Sequence, residues 1–212
     1  MNSADIQRLL REIEEKDQST AAHTWRVVLY MRALAELGGV EGDVLSRIAR
    51  GAALHDLGKL DVPTAILQKP GPLTDEEFEI VKRHPATGYD RLVAMGESDS
   101  IVLNLVRHHH EQWGGGGYPD GLRGEEIPIG ARFFAIIDAF DALTSMRPYR
   151  QEVGRDAAER AIKELQNGIG TRYCGSCVAL FNDLYRSGRV DWVLTYYNDA
   201  SDATFDGLDE SI

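Results

Sequence analysis

Six histidines occur in the 212 residues: His23, His55, His84, His108, His109 and His110. His55 is followed at once by Asp56, in the run Ala53-Leu54-His55-Asp56-Leu57-Gly58-Lys59, at the end of an apolar helical segment. Burying an imidazole and a carboxylate there is costly unless both are paired. A divalent metal ion satisfies the two together: it takes a neutral ring nitrogen and one carboxylate oxygen, leaving the second oxygen to bridge to another ion. A lone His-Asp pair fits a surface or N-cap position as well, and any single histidine fits a hydrogen-bonded core or surface role. As a set the balance changes. At least five of the six fall at or beside expected helix ends that could face one centre, and with Asp56 and Asp138 added a metal cluster is favoured.

The elements that must position these residues read as helices. Apolar side chains at Ile6, Leu9, Leu10 and Ile13 predict a helix over residues 3 to about 16. A second runs from Ser19 to Leu37, stopped by Gly38-Gly39, with His23 in its first turns. A third leads from about Glu41 through Ile48, Ala52 and Leu54 into His55. After a loop with Pro63, Pro70, Gly71 and Pro72, Thr74-Asp75-Glu76-Glu77 is a capping box for the helix leading to His84. Pro85 starts another to about Met95, and Ser98 or Asp99 caps one from Ile101 to His110. Residues 112–130 hold seven glycines and two prolines, a long loop of the kind that often carries function. Apolar helical spacing resumes from Ala131 to Met146, interrupted by Asp138 and Asp141. Further helices are expected over Arg155–Asn167, Cys177–Ser187 and near Val190–Tyr197. No strand alternation or internal repeat is visible. The expected fold is all-α: a lead-in helix over 1–18, one helical domain over 19–197, and an acidic tail over 198–212 with little to bury, expected to be disordered.

Composition narrows the function classes. The chain is 43% hydrophobic and 27% charged, enough for one domain with a real core. Its net charge of -11, from 23 basic and 34 acidic residues, argues against DNA, RNA or an anionic membrane as a non-specific partner. A phosphorylated small molecule remains accessible if metals or a few Arg and Lys reverse the field locally. No apolar run approaches the roughly 18–20 residues of a membrane span, and Met1-Asn2-Ser3-Ala4-Asp5 lacks the regions of a signal peptide. The expected location is cytoplasmic. Cys174 and Cys177 form one Cys-x-x-Cys with no second pair for a four-thiolate zinc site; they read as ordinary thiols, with a redox pair as the alternative.

Three longer motifs make the reading specific. His55-Asp56-Leu57-Gly58-Lys59, with Pro63, Ile66-Leu67, Lys69-Pro70-Gly71 and Leu73-Thr74, resembles the first motif of the HD-GYP family, a branch of the HD-domain metal-dependent phosphohydrolases. His109-His110-Glu111-Gln112-Trp113, then Gly117-Tyr118-Pro119-Asp120-Gly121-Leu122, is similar to the motif that names it. Ile137-Asp138-Ala139-Phe140-Asp141-Ala142-Leu143-Thr144-Ser145 and Arg147-Pro148-Tyr149-Arg150 match a third, and the lead-in from Lys16-Asp17 through His23 also fits. The resemblance covers nearly residues 5 to 185.

It implies a five-helix HD core with additional helices, and hydrolysis of cyclic di-GMP, a bacterial second messenger in signalling, to the linear dinucleotide and on to GMP. The implied metal ligands are His23, His55, Asp56, His84, His109, His110 and Asp138, holding two divalent transition-metal ions. Such a donor set suits iron, manganese or zinc rather than magnesium. Asp56 is the implied bridge, and a hydroxide shared by the two ions attacks phosphorus in line. Lys59 is expected at the phosphate or the leaving oxygen, Arg147 and Arg150 as a phosphate clamp, and Tyr118 against the substrate. His108 is left over as an exposed helix residue. Asp141, three residues after Asp138 on one helical face, reads either as a partner that orients a ligand histidine or as a helix–loop hydrogen-bonding group. A homodimer or a regulatory domain is the expected macromolecular partner, and the chain is either a stand-alone enzyme or a piece of a longer protein.

The chain departs from the family in places. Ser19 stands where a third ion would need a Glu, with Glu15 one turn further back as the nearby substitute. Gly114 replaces an Asp after Trp113 and makes four glycines in a row, and Tyr173-Cys174-Gly175 replaces Phe-Asp-Pro. Two other functions therefore stay open: a cyclic-dinucleotide-binding or interaction module with little turnover, which Gly114 and Cys174 favour, and an HD phosphohydrolase of another nucleotide. The full ligand set speaks against the first. The Gly-Tyr-Pro and Arg-Pro-Tyr-Arg stretches speak against the second.

Overall fold

A computed structural model describes residues 3–16, 20–145 and 155–196. Helix α1 (Ser3–Lys16) turns Ile6, Leu9, Leu10 and Ile13 into the core, as its spacing predicts. Helix α2 (Thr20–Leu37) is the central element. Val27, Val28, Tyr30, Met31 and Leu34 are buried along it, and it packs against α1, α3 (Asp43–Ala53) and three later helices.

Helix α3 was expected to run into His55 but stops at Ala53. The Leu57 N–H bonds back to Leu54 O at 3.0 Å and Lys59 N to Asp56 O at 2.9 Å. These tighter bonds carry the chain into a 3-10 turn over Leu57–Asp61 that the sequence pattern did not announce. A short α4 (Thr64–Leu67) follows, also unforeseen. The expected capping box opens α5 (Asp75–Val81): Thr74 Oγ1 accepts from Glu77 N at 3.3 Å, and Glu77 Oε2 from Thr74 N at 2.7 Å.

Helix α6 (His84–Ala94) carries Pro85 in its first turn, where the missing N–H costs nothing. Helix α7 (Ser100–His108) is capped by Asp99, whose Oδ1 accepts from Ile101 N at 2.9 Å. It ends two residues before the expected His110, because Glu111 N turns back to His108 O at 2.9 Å. After the loop and a 3-10 turn at Gly124–Glu126 come α8 (Ile129–Thr144), α9 (Arg155–Asn167), α10 (Gly175–Arg186) and α11 (Asp191–Tyr196).

The described residues contain no strand, only an isolated bridge between Ile169 and Tyr173. The all-α expectation holds. Helices α2, α3, α7 and α8 close a ring of pairwise contacts, and α6 lies on α7. Helices α2, α3, α6 and α7 carry or immediately precede every histidine, and α8 carries Asp138. Helices α1, α9, α10 and α11 add to this core, around buried Phe134, Phe140 and Phe181. No helix among the described residues is long and apolar enough to cross a membrane. The tail expected from 198 lies outside the described residues.

Gly58 is the tightest point of the packing. A Cβ there would stand 1.9 Å from His84 O and 2.7 Å from Gly88 N, so only glycine lets the 3-10 turn lie against the start of α6 and bring Asp56 to His84. Gly58→Ala should therefore destabilise the fold by about 1–3 kcal/mol or more, as overpacked cores do, read as a lower urea midpoint. An unchanged midpoint would mean that α6 yields freely.

Candidate metal centre

Four of the five histidines of the centre are aimed by their own surroundings. The Nδ1–H of His55 donates to Ala52 O, that of His84 to Val81 O and that of His109 to Val106 O, each at 2.8 Å. A carbonyl can only accept, so in all three rings the proton sits on Nδ1 and Nε2 is left as a lone-pair donor to a cation. His23 follows the same rule with a side chain: its Nδ1 donates to Asp141 Oδ2 at 2.8 Å.

The rings converge. His23 and His55 have centroids 5.4 Å apart, His55 and His109 5.3 Å, His84 and His109 5.1 Å, and His109 and His110 4.3 Å. Asp56 sits between them with its two oxygens divided. Oδ2 lies 3.1 Å from His55 Nε2, and Oδ1 lies 3.5 Å from His84 Nε2. Asp138 Oδ1 lies 3.6 Å from His23 Nε2. Two groups, His84-His109-His110 and His23-His55-Asp56, each bring three potential ligand atoms within 4.8 Å of one another.

The protonation states match. Burial, with repulsion from His110, Lys59 and other positive neighbours, pushes His84 down to about 4 and His109 well below its ordinary value. Burial lowers His110 too. For Asp56 burial works upward, but its pairing with His55 and the charge of Lys59 outweigh it and hold the carboxyl well below the usual range. Neutral His84, His109 and His110 and an ionised Asp56 are the forms a divalent ion requires, whereas His23, whose carboxylate neighbours favour its protonated form, would give up a proton to one.

One contact needs such an ion. The Nε2 atoms of His84 and His109 face each other at 3.1 Å, and with both protons on Nδ1 neither has a hydrogen to share. Two ligands on one ion at about 2.0–2.1 Å and nearly a right angle have this separation. The residues present fit a metal.

Three comparisons bear on the family. The HD-domain profile matches residues 8–176. This chain belongs to the HD-domain family. Within it, the HD-GYP resemblance read from the motifs is borne out. The HD domain is 42% identical over 154 residues to the cyclic di-GMP phosphodiesterase response regulator RpfG of Xanthomonas campestris, covering 72% of this chain and 41% of that protein. It is 38% identical over 182 residues to a cyclic di-GMP phosphodiesterase of Thermotoga maritima, covering 82% and 48%. The chain thus spans less than half the length of either relative. A solved HDG"Y"P protein from Bdellovibrio bacteriovorus aligns with a TM-score of 0.60 at 25% identity, over 77% of this chain and 51% of that one.

Around the seven histidine and aspartate side chains, the HD domain places the other expected residues unevenly. Lys59 Nζ lies 2.7 Å from Asp56 Oδ2, at the edge of the centre. The Tyr118 ring lies over His110 with centroids 4.8 Å apart, and burial plus the charges of Asp138 and Asp56 push its hydroxyl pKa up. Arg147, Arg150 and Ser19 lie outside the described residues. Of the two readings of Asp141, the orienting one fits: its Oδ2 accepts from His23 Nδ1, and Asp141 is itself buried. His108 corrects its expectation. It is buried rather than exposed, with Nδ1 3.4 Å from Asp120 Oδ2, because the 112–124 loop folds back over α7.

Two supports went unforeseen. The Arg26 guanidinium holds Asp141 through Nε and, at 3.0 Å, Nη2. The i, i+3 spacing of His23 and Arg26 on one helix face was the available signal. Glu111 accepts backbone N–H bonds from Asp120 at 2.8 Å and from Gly121 and Leu122 at 3.0 Å, while Arg107 grips Asp120 with two 2.8 Å bonds. Together they pin the loop so that Tyr118 stays on His110. A charged residue directly after His-His was the clue for Glu111.

Burial would raise the Asp141 pKa, yet the bonds and charges of His23 and Arg26 bring it down to about 2. Asp141→Asn removes the carboxylate charge that the buried Arg26 meets, and unfolding in chelator should become easier by about 3–5 kcal/mol; a shift within error would show the pair to be dispensable. Acid has a separate effect. His84 takes up its proton near 6.5 when unfolded but near 4 when folded, so its stabilisation is complete above about 6.5 and is lost as pH falls toward 4. That amounts to about 3 kcal/mol for His84 alone. His23 has the opposite sign, since burial lowers it but Asp141, Asp138 and Asp56 raise it overall; what it adds is present below 6.5 and lost as pH rises through its raised value. Urea titrations of chelated protein near neutrality and near pH 4 should show the acid loss, and equal midpoints would refute it.

Proposed function

We propose that this chain is a metal-dependent cyclic-dinucleotide phosphodiesterase that opens cyclic di-GMP to the linear dinucleotide and carries it on to GMP. The observation that carries this is the division of Asp56, with one oxygen beside His55 and the other beside His84. A single carboxylate so shared is what two adjacent cations need. His23, His55 and Asp138 would hold one, and His84, His109 and His110 the other, with Asp56 common to both. Nitrogen-rich donors favour iron or manganese, with zinc next. When bound, such a pair supplies Lewis acidity toward phosphoryl oxygens and lowers the pKa of a bound water.

The chain's own groups do the rest. Phe134 lies against the His55 and His109 rings, with centroids at 4.6 and 5.4 Å, and backs the centre with the apolar core. Lys59, already held by Asp56, presents a positive charge to a phosphate oxygen or a proton to the leaving oxygen. Tyr118, kept protonated, donates its O–H to the substrate, and its ring offers a base a stacking face. Arg147 and Arg150 would clamp the phosphates, countering a field set by net charge -11. A cytoplasmic location and a regulatory domain or second copy as partner belong to the same reading, since both relatives extend well beyond the matched region.

Purified protein loaded anaerobically with Fe(II) or Mn(II) should hold about two ions per chain on the two-metal logic and release linear dinucleotide from cyclic di-GMP. Asp56→Ala should lose both ions together. Absence of product with two ions bound would sink the enzyme reading. If the dinucleotide still binds, the outcome is the interaction module that Gly114 favours.

A further inference from the structure

Cys174 and Cys177 have no part in the metal centre. They open α10, with Cys174 as N-cap and Cys177 on the first helical turn. Both are buried, 4% and 3% exposed, and neither is in a disulfide. Residues three apart share a helix face, and the two thiols are near enough to shift each other's acidity. A buried thiol is ordinarily an inert small hydrophobe. Cys174 is set apart by its neighbours. Ser176 Oγ lies 3.2 Å from its Sγ, the nearby Arg132 guanidinium favours its ionised form, and it stands at the positive end of a 12-residue helix. Burial pushes the Cys174 thiol up, but Ser176, Cys177 and Arg132 outweigh it and leave it below the ordinary value. Cys177 goes the other way: burial and Cys174 push it up to about 12. One thiol is poised to ionise and attack, and its neighbour keeps its proton until needed.

Arg132 ties this pair to the loop. Its guanidinium lies 5.7 Å from the Trp113 ring centroid, and its Nε donates to Ile127 O at 2.7 Å. A backbone strap runs in parallel: Trp113 N bonds to Arg172 O at 3.1 Å and Gly114 N to Thr171 O at 2.7 Å. Trp113 and Gly114 begin the loop that ends on Tyr118, Asp120 and Glu111's three bonds.

We propose that Cys174 and Cys177 are a reversible disulfide-forming redox site, oxidised by hydrogen peroxide, whose state reaches the Tyr118 loop through Arg132 and the 171–173 strap. The Cys174 thiolate attacks one peroxide oxygen, the O–O bond breaks, and the departing hydroxide takes up the proton the thiol released. This leaves a sulfenic acid and one water. Cys177 sulfur then attacks Cys174 Sγ, the S–O bond breaks, and the hydroxide leaves with the Cys177 proton as a second water. Two thiols and one peroxide become one disulfide and two waters. Peroxide, little larger than water, suits a sulfur so nearly covered. Oxidation removes the sulfur charge that Arg132 meets and pulls the start of α10 toward a fixed S–S geometry.

The test uses the full chain without metal or substrate, so it stands apart from the phosphodiesterase reading. Peroxide should take the titratable thiols from two to zero, with the intact monomer lighter by two hydrogens, and dithiothreitol should restore both. Tryptophan emission should shift on oxidation, and the shift should vanish in Trp113→Phe. Cys177→Ser should stop at the sulfenic acid, heavier by one oxygen and trapped by dimedone; should that variant not fold, the mass of the oxidised parent chain decides alone. Thiols that survive peroxide in the folded protein, or oxygen gained with no hydrogens lost, would overturn the site. A disulfide that leaves Trp113 emission unchanged would overturn its link to the loop.

Discussion

A buried carboxylate in the middle of imidazoles is the constraint that shapes this protein. Asp56 is 4% exposed, and an anion placed there without partners would outweigh much of what a marginally stable domain gains by folding. Its partners come from every side: His55 beside it in sequence, Lys59 one 3-10 turn on, and His84 from the start of α6. The absence of a side chain at Gly58 is what allows that last approach. Helix ends, a tight turn and one glycine are thus arranged around two oxygens.

The two other buried carboxylates of the region show how the same chemical group serves different ends. Asp141 faces side chains and fixes the direction of His23 against Arg26. Glu111 faces backbone and closes a glycine-rich loop that has little packing of its own. Gly117 shows why that loop needs its composition: a Cβ there would stand 2.3 Å from Gln112 N. The flexibility that four consecutive glycines introduce is offset at the loop's far end by Glu111 and Arg107, and at its near end by the bonds from Trp113 and Gly114 to the 171–172 segment.

Much of this was legible in the chain. The apolar spacing of Ile6, Leu9, Leu10 and Ile13, the Thr74–Glu77 box and the stretch over Arg155–Asn167 are local patterns, and the structure has helices there. The gathering of the histidines was readable from their places at helix ends. Where α3 and α7 stop was not. His55 and His109 sit just past the ends of α3 and α7 because short-range turn bonds replace the helical ladder there, and those bonds leave no mark on hydrophobic spacing. The burial of His108 and the grip of Arg26 on Asp141 were hidden for a different reason. They join residues far apart in sequence, and a single chain carries no local signal of which distant partner a charge will meet. The Arg147 and Arg150 expectations fall outside the described residues.

The rings of His55, His84 and His109 are each steered by a carbonyl three residues earlier in the same segment. Direction is therefore set within one turn of chain, whereas the spacing between donors is set by how separate helices pack. A small slide of one helix against another changes how far its nitrogen stands from the centre and leaves its lone pair pointing inward. The pocket can breathe in size while keeping its shape, which is the property a protein needs to accept ions of different radius in one set of ligands.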